Sequence, residues 1–274
     1  METIEVQDTS VPVLGLGTWQ LTGPSCTETV ATALDLGYRH VDTAQAYGNE
    51  RQVGLGIEAA DVNREDVFLV TKLDGSNRDA RSVRESTRES LHKLGTDYLD
   101  CLLIHWPNTP WMAPLAETLD AMNDLVDDGL IEHIGVSNFS HDLLDEARQL
   151  SAAPILTDQV QYHPYWDQAT LLDYCRVHDV LLTAYSPLAR GDALDDPVLA
   201  EIGAAHGRTT PRVALRWLVQ QDGVAAIPKA TGRDHLKANL AVFDFELTEE
   251  ELARIPNPSK GKTAYQFVWS QLPF

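Results

Sequence analysis

Apolar positions along this chain fall into two rhythms. Short apolar or alternating runs recur at residues 14–17, 40–42, 67–71, 99–104, 131–136, 155–160, 180–184 and 224–227, and each reads as a strand. Between them, apolar residues return every three or four positions, the spacing of one helix face. These helical stretches are 27–36, 50–60, 79–94, 115–126, 141–150, 171–178, 197–206, 211–221 and 233–240. End signals agree with the limits. Thr27 stands as a cap with Gly37 ending that helix, Asp79 caps and Gly95 stops another, and Thr248 opens a short extra one. Residues 4–17 alternate and turn at 7–10, which predicts a hairpin leading into the first strand.

The run V-F-L-V-T at 67–71 is continuously apolar, as a strand covered on both faces must be. Eight strands, each followed by helix, predict a parallel α/β sheet, and that count in 274 residues predicts closure into a (β/α)8 TIM barrel. An open, doubly wound sheet is the alternative. It would carry a dinucleotide on a glycine loop after its first strand, but G-L-G-T-W-Q lacks the third glycine and no acid follows at the required distance. The G-L-G at 54–56 falls inside a helix and belongs to helix packing. No linker or repeat divides the chain, so one domain over 1–274 is expected.

Charge changes the picture next. Forty-one acidic residues oppose twenty-one basic ones, of which six are lysine, for a formal net charge of −20. Such a surface repels nucleic acid and anionic membranes, so neither is an expected partner. The acids are scattered through periodic segments, which points to a folded protein in a salty cytoplasm, where at molar salt charges are screened beyond about 3 Å. The first residues carry no signal-peptide pattern, and no apolar run is long enough to span a bilayer. Cys26, Cys101 and Cys175 are odd in number and lack metal spacing, as expected of reduced cytoplasmic thiols.

Candidate chemistry gathers at the strand ends, where barrel enzymes place their sites. V-D-T-A-Q-A-Y-G-N-E puts Asp42 at one strand end and Tyr47 in the loop after it. V-F-L-V-T-K ends at Lys72, and C-L-L-I-H-W-P carries His105. An acid, a phenol, an ammonium and an imidazole form a proton-transfer set. A free phenol, with a pKa of about 10, is a sluggish acid. An adjacent ammonium is expected to lower that pKa, and a carboxylate to hold the ammonium in place. Tyr47 then acts as general acid, Lys72 tunes it, Asp42 anchors Lys72, and His105 orients the oxygen that takes the proton. No metal ligand set is evident: His163, His178 and the cysteines lack the spacing, and Asp42 with His105 lacks a third ligand. Ser137 lacks the glycines of a nucleophile elbow.

In order and spacing, V-D-T-A-x-x-Y-x-N-E, T-K, L-I-H-W-P, I-G-V-S-N-F, A-Y-S-P-L and I-P-K resemble the aldo-keto reductase family, from Val13 to about Phe245. The resemblance implies a barrel that reduces aldehydes or ketones with a nicotinamide cofactor. It assigns Ser137, Asn138 and Gln159 to the carboxamide, Tyr185 to stacking on the ring, and Ser186 and Leu188 to the same cofactor. Lys229, Thr231, Arg233, His235 and Asn239 match the segment that holds the adenosine phosphate. Many NADPH-preferring members carry an arginine where this chain has His235, and Ala230 replaces a common serine. The expectation is NADP(H) preferred modestly, with NAD(H) also used and no metal. Trp19, Trp106 and Trp111 would wall a substrate pocket, closed by a substrate-lining tail with Tyr265, Phe267 and Trp269. The expected partner is a small carbonyl compound, on a monomer. A catalytically weak, cofactor-binding regulatory subunit on the same fold is the rival, and the intact Asp42, Tyr47, Lys72, His105 set counts against it.

Overall fold

The computed structural model describes residues 1–256. It opens with an antiparallel hairpin, β1 (Thr3–Val6) and β2 (Thr9–Pro12). Gln7 and Asp8 both take left-handed φ, 51° and 63°, which a two-residue turn needs to match the twist of its strands. Gln7 is tied from several sides. Its backbone N–H donates to the Asp179 carboxylate at 2.9 Å, and its side-chain amide donates to the carbonyls of Ile155 and Asp179 at 3.0 and 2.7 Å. The hairpin is thereby pinned across the barrel floor.

Strands and helices then alternate: β3 (Leu16–Gly17), α1 (Gly23–Asp35), β4 (His40–Asp42), α2 (Glu50–Ala59), β5 (Phe68–Leu73), α3 (Ala80–Leu94), β6 (Leu99–Ile104), α4 (Leu115–Asp127), β7 (Ile131–Ser137) and α5 (His141–Leu150). They continue as β8 (Ile155–Gln161), α6 (Ala169–Val177), β9 (Leu181–Tyr185), α7 (Pro197–His206), α8 (Thr210–Val219), β10 (Val224–Ala226), α9 (Arg233–Leu240) and α10 (Glu249–Arg254). β3 to β10 lie side by side in sequence order, all parallel. The sheet closes on itself where Leu14 pairs with Ala226, through Gly15 N–H to the Ala226 carbonyl and Ala226 N–H to the Val13 carbonyl, both 2.8 Å. The expected (β/α)8 barrel with its N-terminal hairpin is the observed architecture.

Alternation along the strands builds two cores. Phe68, Val70, Cys101, Leu103, Leu181 and Ala225 fill the barrel interior with Val6 and Val11 from the hairpin. Leu69, Leu73, Leu102 and Ile104 point outward and pack under the helices. Burying each such side chain contributes about 1.5–3 kcal/mol. Gly54 and Gly56 allow α2 to approach its neighbours: a Cβ on Gly54 would strike the backbone of Leu94, and one on Gly56 would lie 2.6 Å from Val30.

Asp79 caps α3 by accepting the N–H groups of Arg81 and Ser82, each at 3.1 Å, and Gly95 ends it in the left-handed region. The first helix corrects the sequence reading. It starts at Gly23 with Thr22 in the cap position and a proline in its first turn, where the missing N–H has no partner to lose. Thr27 is therefore not a cap but lies within α1, its hydroxyl donating to the Gln52 carbonyl at 3.1 Å.

Candidate active site

Asp42 ends β4, and Lys72 follows Val70 on the inner face of β5. Both are almost wholly buried, at 1 % and 0 % exposure. The Lys72 Nζ donates to Asp42 Oδ1 at 2.5 Å and to the Thr43 carbonyl at 2.8 Å. From β8, across the barrel, Gln159 Nε2 donates to Asp42 Oδ2 at 2.7 Å. Both carboxylate oxygens are thus engaged. A buried pair survives its desolvation only with bonds of this kind. Burial pulls the Lys72 ammonium below the usual lysine value, and Asp42 acts against that.

Tyr47 sits in a single turn, Gln45–Tyr47, just after β4. Its ring centroid lies 5.3 Å from the Lys72 Nζ and 5.7 Å, edge to face, from the His105 ring. The acid, ammonium, phenol and imidazole singled out in the sequence are brought together. The expected tuning is not. Burial pushes the phenol well above the ordinary tyrosine value, with Asp42 and Tyr185 adding to the rise. The ammonium of Lys72 is committed to Asp42, so its charge does not offset the desolvation of Tyr47. His105 is pulled down to about 3 by burial and by the positive charges of Lys72 and Arg78. At neutral pH the site therefore presents a protonated phenol beside a neutral imidazole.

Next to this set lies an amide-rich shelf from β7, β8 and β9. Ser137 Oγ donates to the Gln159 carbonyl at 2.7 Å. Asn138, in the left-handed region at φ 64°, donates through Nδ2 to the His105 carbonyl and to Ser137 Oγ, both at 3.0 Å. Its Oδ1 accepts the Tyr185 hydroxyl at 2.8 Å, which fixes the tyrosine ring. A nicotinamide carboxamide needs a donor, an acceptor and a flat neighbour. Gln159 keeps one N–H and its carbonyl oxygen for such a group, and Tyr185 is the flat neighbour, so these residues fit it. Asn138 fits less freely, because both its N–H groups are already used.

The remaining candidates lie along the rim. Ser186, at φ 50°, and Leu188 are half-buried after β9. Lys229 is exposed and donates to Gln20 Oε1 at 3.1 Å. Thr231, Arg233 and His235 are exposed around the start of α9, whereas Asn239 is buried against the Tyr38 phenol. Trp19 is 43 % exposed, with the Arg190 guanidinium 5.5 Å from its ring. Trp106 is half-buried. Trp111 corrects the expectation of a wall: it is 85 % exposed. Tyr265, Phe267 and Trp269, and with them the tail, lie outside the described residues. Sequence reasoning did not single out Arg78, 2 % exposed, whose Nη2 donates to the Trp106 carbonyl at 3.2 Å, nor Asp74. Strand parity counted from Lys72 would have found the latter. Among the described residues no group of three or more His, Cys, Asp or Glu is placed to hold a metal, and no helix is long and apolar enough to cross a membrane.

The closed barrel carries an Asp–Lys–Tyr–His cluster at the C-terminal ends of its strands, and comparison with known proteins shows the family. Residues 13–257 match the model of the Aldo/keto reductase family. The chain belongs to the aldo-keto reductases, oxidoreductases that act on small carbonyl compounds with nicotinamide cofactors. It is similar to the 9,11-endoperoxide prostaglandin H2 reductase of Trypanosoma cruzi, 37 % identical over 92 % of this chain and 89 % of that one. It is similar, too, to morphine 6-dehydrogenase of Pseudomonas putida, 36 % identical over 92 % and 88 %. Among solved structures, a putative 2,5-diketo-D-gluconic acid reductase B superposes with a TM-score of 0.91 at 44 % identity, covering 93 % of this chain and 90 % of that one.

Proposed function

We propose that this chain reduces aldehydes and ketones to alcohols with Tyr47 as the general acid, and that NADP(H) is its preferred cofactor. The observation that carries this is the place of Tyr47, between the buried Lys72–Asp42 pair and the neutral His105. When bound, a reduced nicotinamide supplies the hydride. Tyr47 gives its hydroxyl proton to the oxygen that becomes an alkoxide. His105, being neutral, donates a hydrogen bond to the same oxygen without competing as an acid. Lys72 holds positive charge close to the phenolate left behind, and Asp42 fixes Lys72. Gln159, with Ser137 and Asn138, would hold the carboxamide beside Tyr185, and Trp19 and Trp106 would border the substrate.

At the other end, Lys229, the Thr231 hydroxyl and Arg233 would hold the adenosine phosphate of a bound cofactor, with His235 in place of an arginine, so the NADPH preference would be modest and NADH would be used. Replacing Tyr47 by Phe tests the reading. We expect turnover to fall about a hundredfold or more while cofactor affinity stays within a few-fold. A variant that keeps about a tenth of the turnover excludes Tyr47 as the acid. The reading further takes the chain as one domain over 1–274, a monomer, in a salty cytoplasm. Its −20 charge then predicts a thermal midpoint that rises with potassium chloride, and a flat or falling midpoint would refute the salt adaptation.

A further inference from the structure

Two residues beyond Lys72 the chain carries a carboxylate, Asp74, and strand register fixes where it stands. β5 pairs with β6 so that Lys72 lies opposite Leu103 and Leu73 opposite Ile104. One step further brings Asp74 alongside His105. Alternation agrees: Val70 belongs to the inner core and Leu69 and Leu73 to the outer one, so Asp74 follows Val70 and Lys72 toward the barrel mouth. The backbone is locked there, because the Asp74 N–H donates at 2.8 Å to Oε1 of Gln45, in the same turn as Tyr47.

Oδ1 of Asp74 accepts the N–H and hydroxyl of Ser76 at 2.9 and 2.8 Å. These bonds, the backbone one first, hold the carboxyl below its ordinary value, so it is ionised at neutral pH. Oδ2 makes no hydrogen bond among the described residues, and the side chain is only half-buried. Arg78 is the nearby cation, but it is 2 % exposed, and its Nε and Nη1 have no hydrogen-bond partner among the described residues. Asp74 and His105 are close enough to feel one another's charge, whereas the Arg78 guanidinium is closed off from solvent and cannot bond an arriving anion directly.

We propose that Asp74 selects the substrate: this enzyme takes carbonyl compounds that are uncharged or carry an ammonium or hydroxyl group near the carbonyl, and excludes those with a carboxylate there. The proposal rests on the reductase reading above. Compared with an uncharged residue at the same place, a like charge about 6 Å away, at an effective dielectric of about 20 to 40, weakens binding of a carboxylate about ten- to a hundredfold and so offsets the attraction of the buried Lys72 and Arg78. The solved relative named for 2,5-diketo-D-gluconic acid is named for a carboxylic acid, and Asp74 argues that this chain does not share that class of substrate.

The test uses the whole protein with NADPH and three aldehydes of one shape: 4-carboxybenzaldehyde, its methyl ester and 4-(trimethylammonio)benzaldehyde. In the wild type we expect kcat/KM for the ester to exceed that for the acid about tenfold or more, and the cation to match or exceed the ester. Asp74→Asn should raise the acid-to-ester ratio about tenfold. Because the ratio is taken within each variant, a loss of folded protein cancels. Equal use of acid and ester by the wild type, or a ratio unmoved by the substitution, overturns the proposal. Failure of the wild type to turn over any of the three is a different result, and removes the reductase reading on which it rests.

Discussion

The two ends of the proposed cofactor trough are built differently. At the reaction end, Asp42 and Lys72 are buried, and every oxygen of the carboxylate is bonded, one of them from the opposite wall of the barrel. At the proposed phosphate end, Lys229, Thr231, Arg233 and His235 are exposed, and among the described residues Lys229 makes a single hydrogen bond, to Gln20. A buried, cross-braced group holds one geometry, while an exposed cation keeps its rotamers and its water. In the proposed reading the chemistry rests on braced residues, and the choice of phosphate on residues that can be exchanged at little structural cost.

Breaking the braced end should have the largest effect. Lys72→Met leaves the Asp42 carboxylate buried without its cation, which costs about 3–5 kcal/mol of stability. It also removes the charge beside Tyr47, so turnover should fall about a hundredfold or more in the protein that still folds. Chemical denaturation and single-turnover reduction together check this, and an Lys72→Met protein with ordinary stability would contradict the picture of a tightly braced pair.

A smaller effect is expected just behind the same end, on the face of β8 turned toward the helices. Asp158 is wholly buried, and among the described residues neither carboxyl oxygen has a hydrogen-bond partner. Burial pushes this carboxyl well above its ordinary value. The folded protein then holds a proton that the unfolded chain gives up near pH 4. Stability contributed by that proton is full below about pH 4 and is lost progressively as pH rises toward the folded value. Asp158→Asn, which does not titrate, should gain on the wild type by up to about 1.4 kcal/mol per pH unit across that window. Parallel stability curves for the two proteins between about pH 5 and 7 would show that Asp158 is ionised in the fold.

The exposed end should respond least. Lys229→Ala is expected to reduce the preference for NADPH over NADH about tenfold, the worth of one charged hydrogen bond, with no change in thermal midpoint. Equal loss with both cofactors would mean that Lys229 does not read the phosphate, and would blur the contrast between the two ends.

Much of this arrangement is legible along the chain, for reasons that are local. Asp79 and Gly95 mark both ends of α3 because capping is decided by a few neighbouring residues. Lys72 and His105 declare themselves by standing at the ends of apolar runs. What escapes depends on closure. The bond from Gln159 to Asp42 joins residues on opposite walls, and nothing near either residue announces it. The direction of the Tyr47 shift was misjudged because burial is a property of the folded barrel, and burial outweighs the ammonium. Thr27 looked like a cap because threonine commonly is one, yet the chain turns helical earlier, with a proline in the first turn.

The seam at Leu14 and Ala226 bears on how the molecule comes into being. The first barrel strand and the last meet there, nearly the whole chain apart in sequence. A nascent chain leaving the ribosome therefore holds β3 with an open edge until β10 has been made, and long-range parallel pairing of this kind is slow to form. Until that moment the open edge of β3 can pair with a strand of another copy, and the inner faces of the early strands are uncovered apolar surface. The hairpin tied through Gln7 to Ile155 and Asp179 waits in the same way for the second half of the chain, so assembly of the floor and of the seam are both late events, and the yield of active protein is decided in the interval before them.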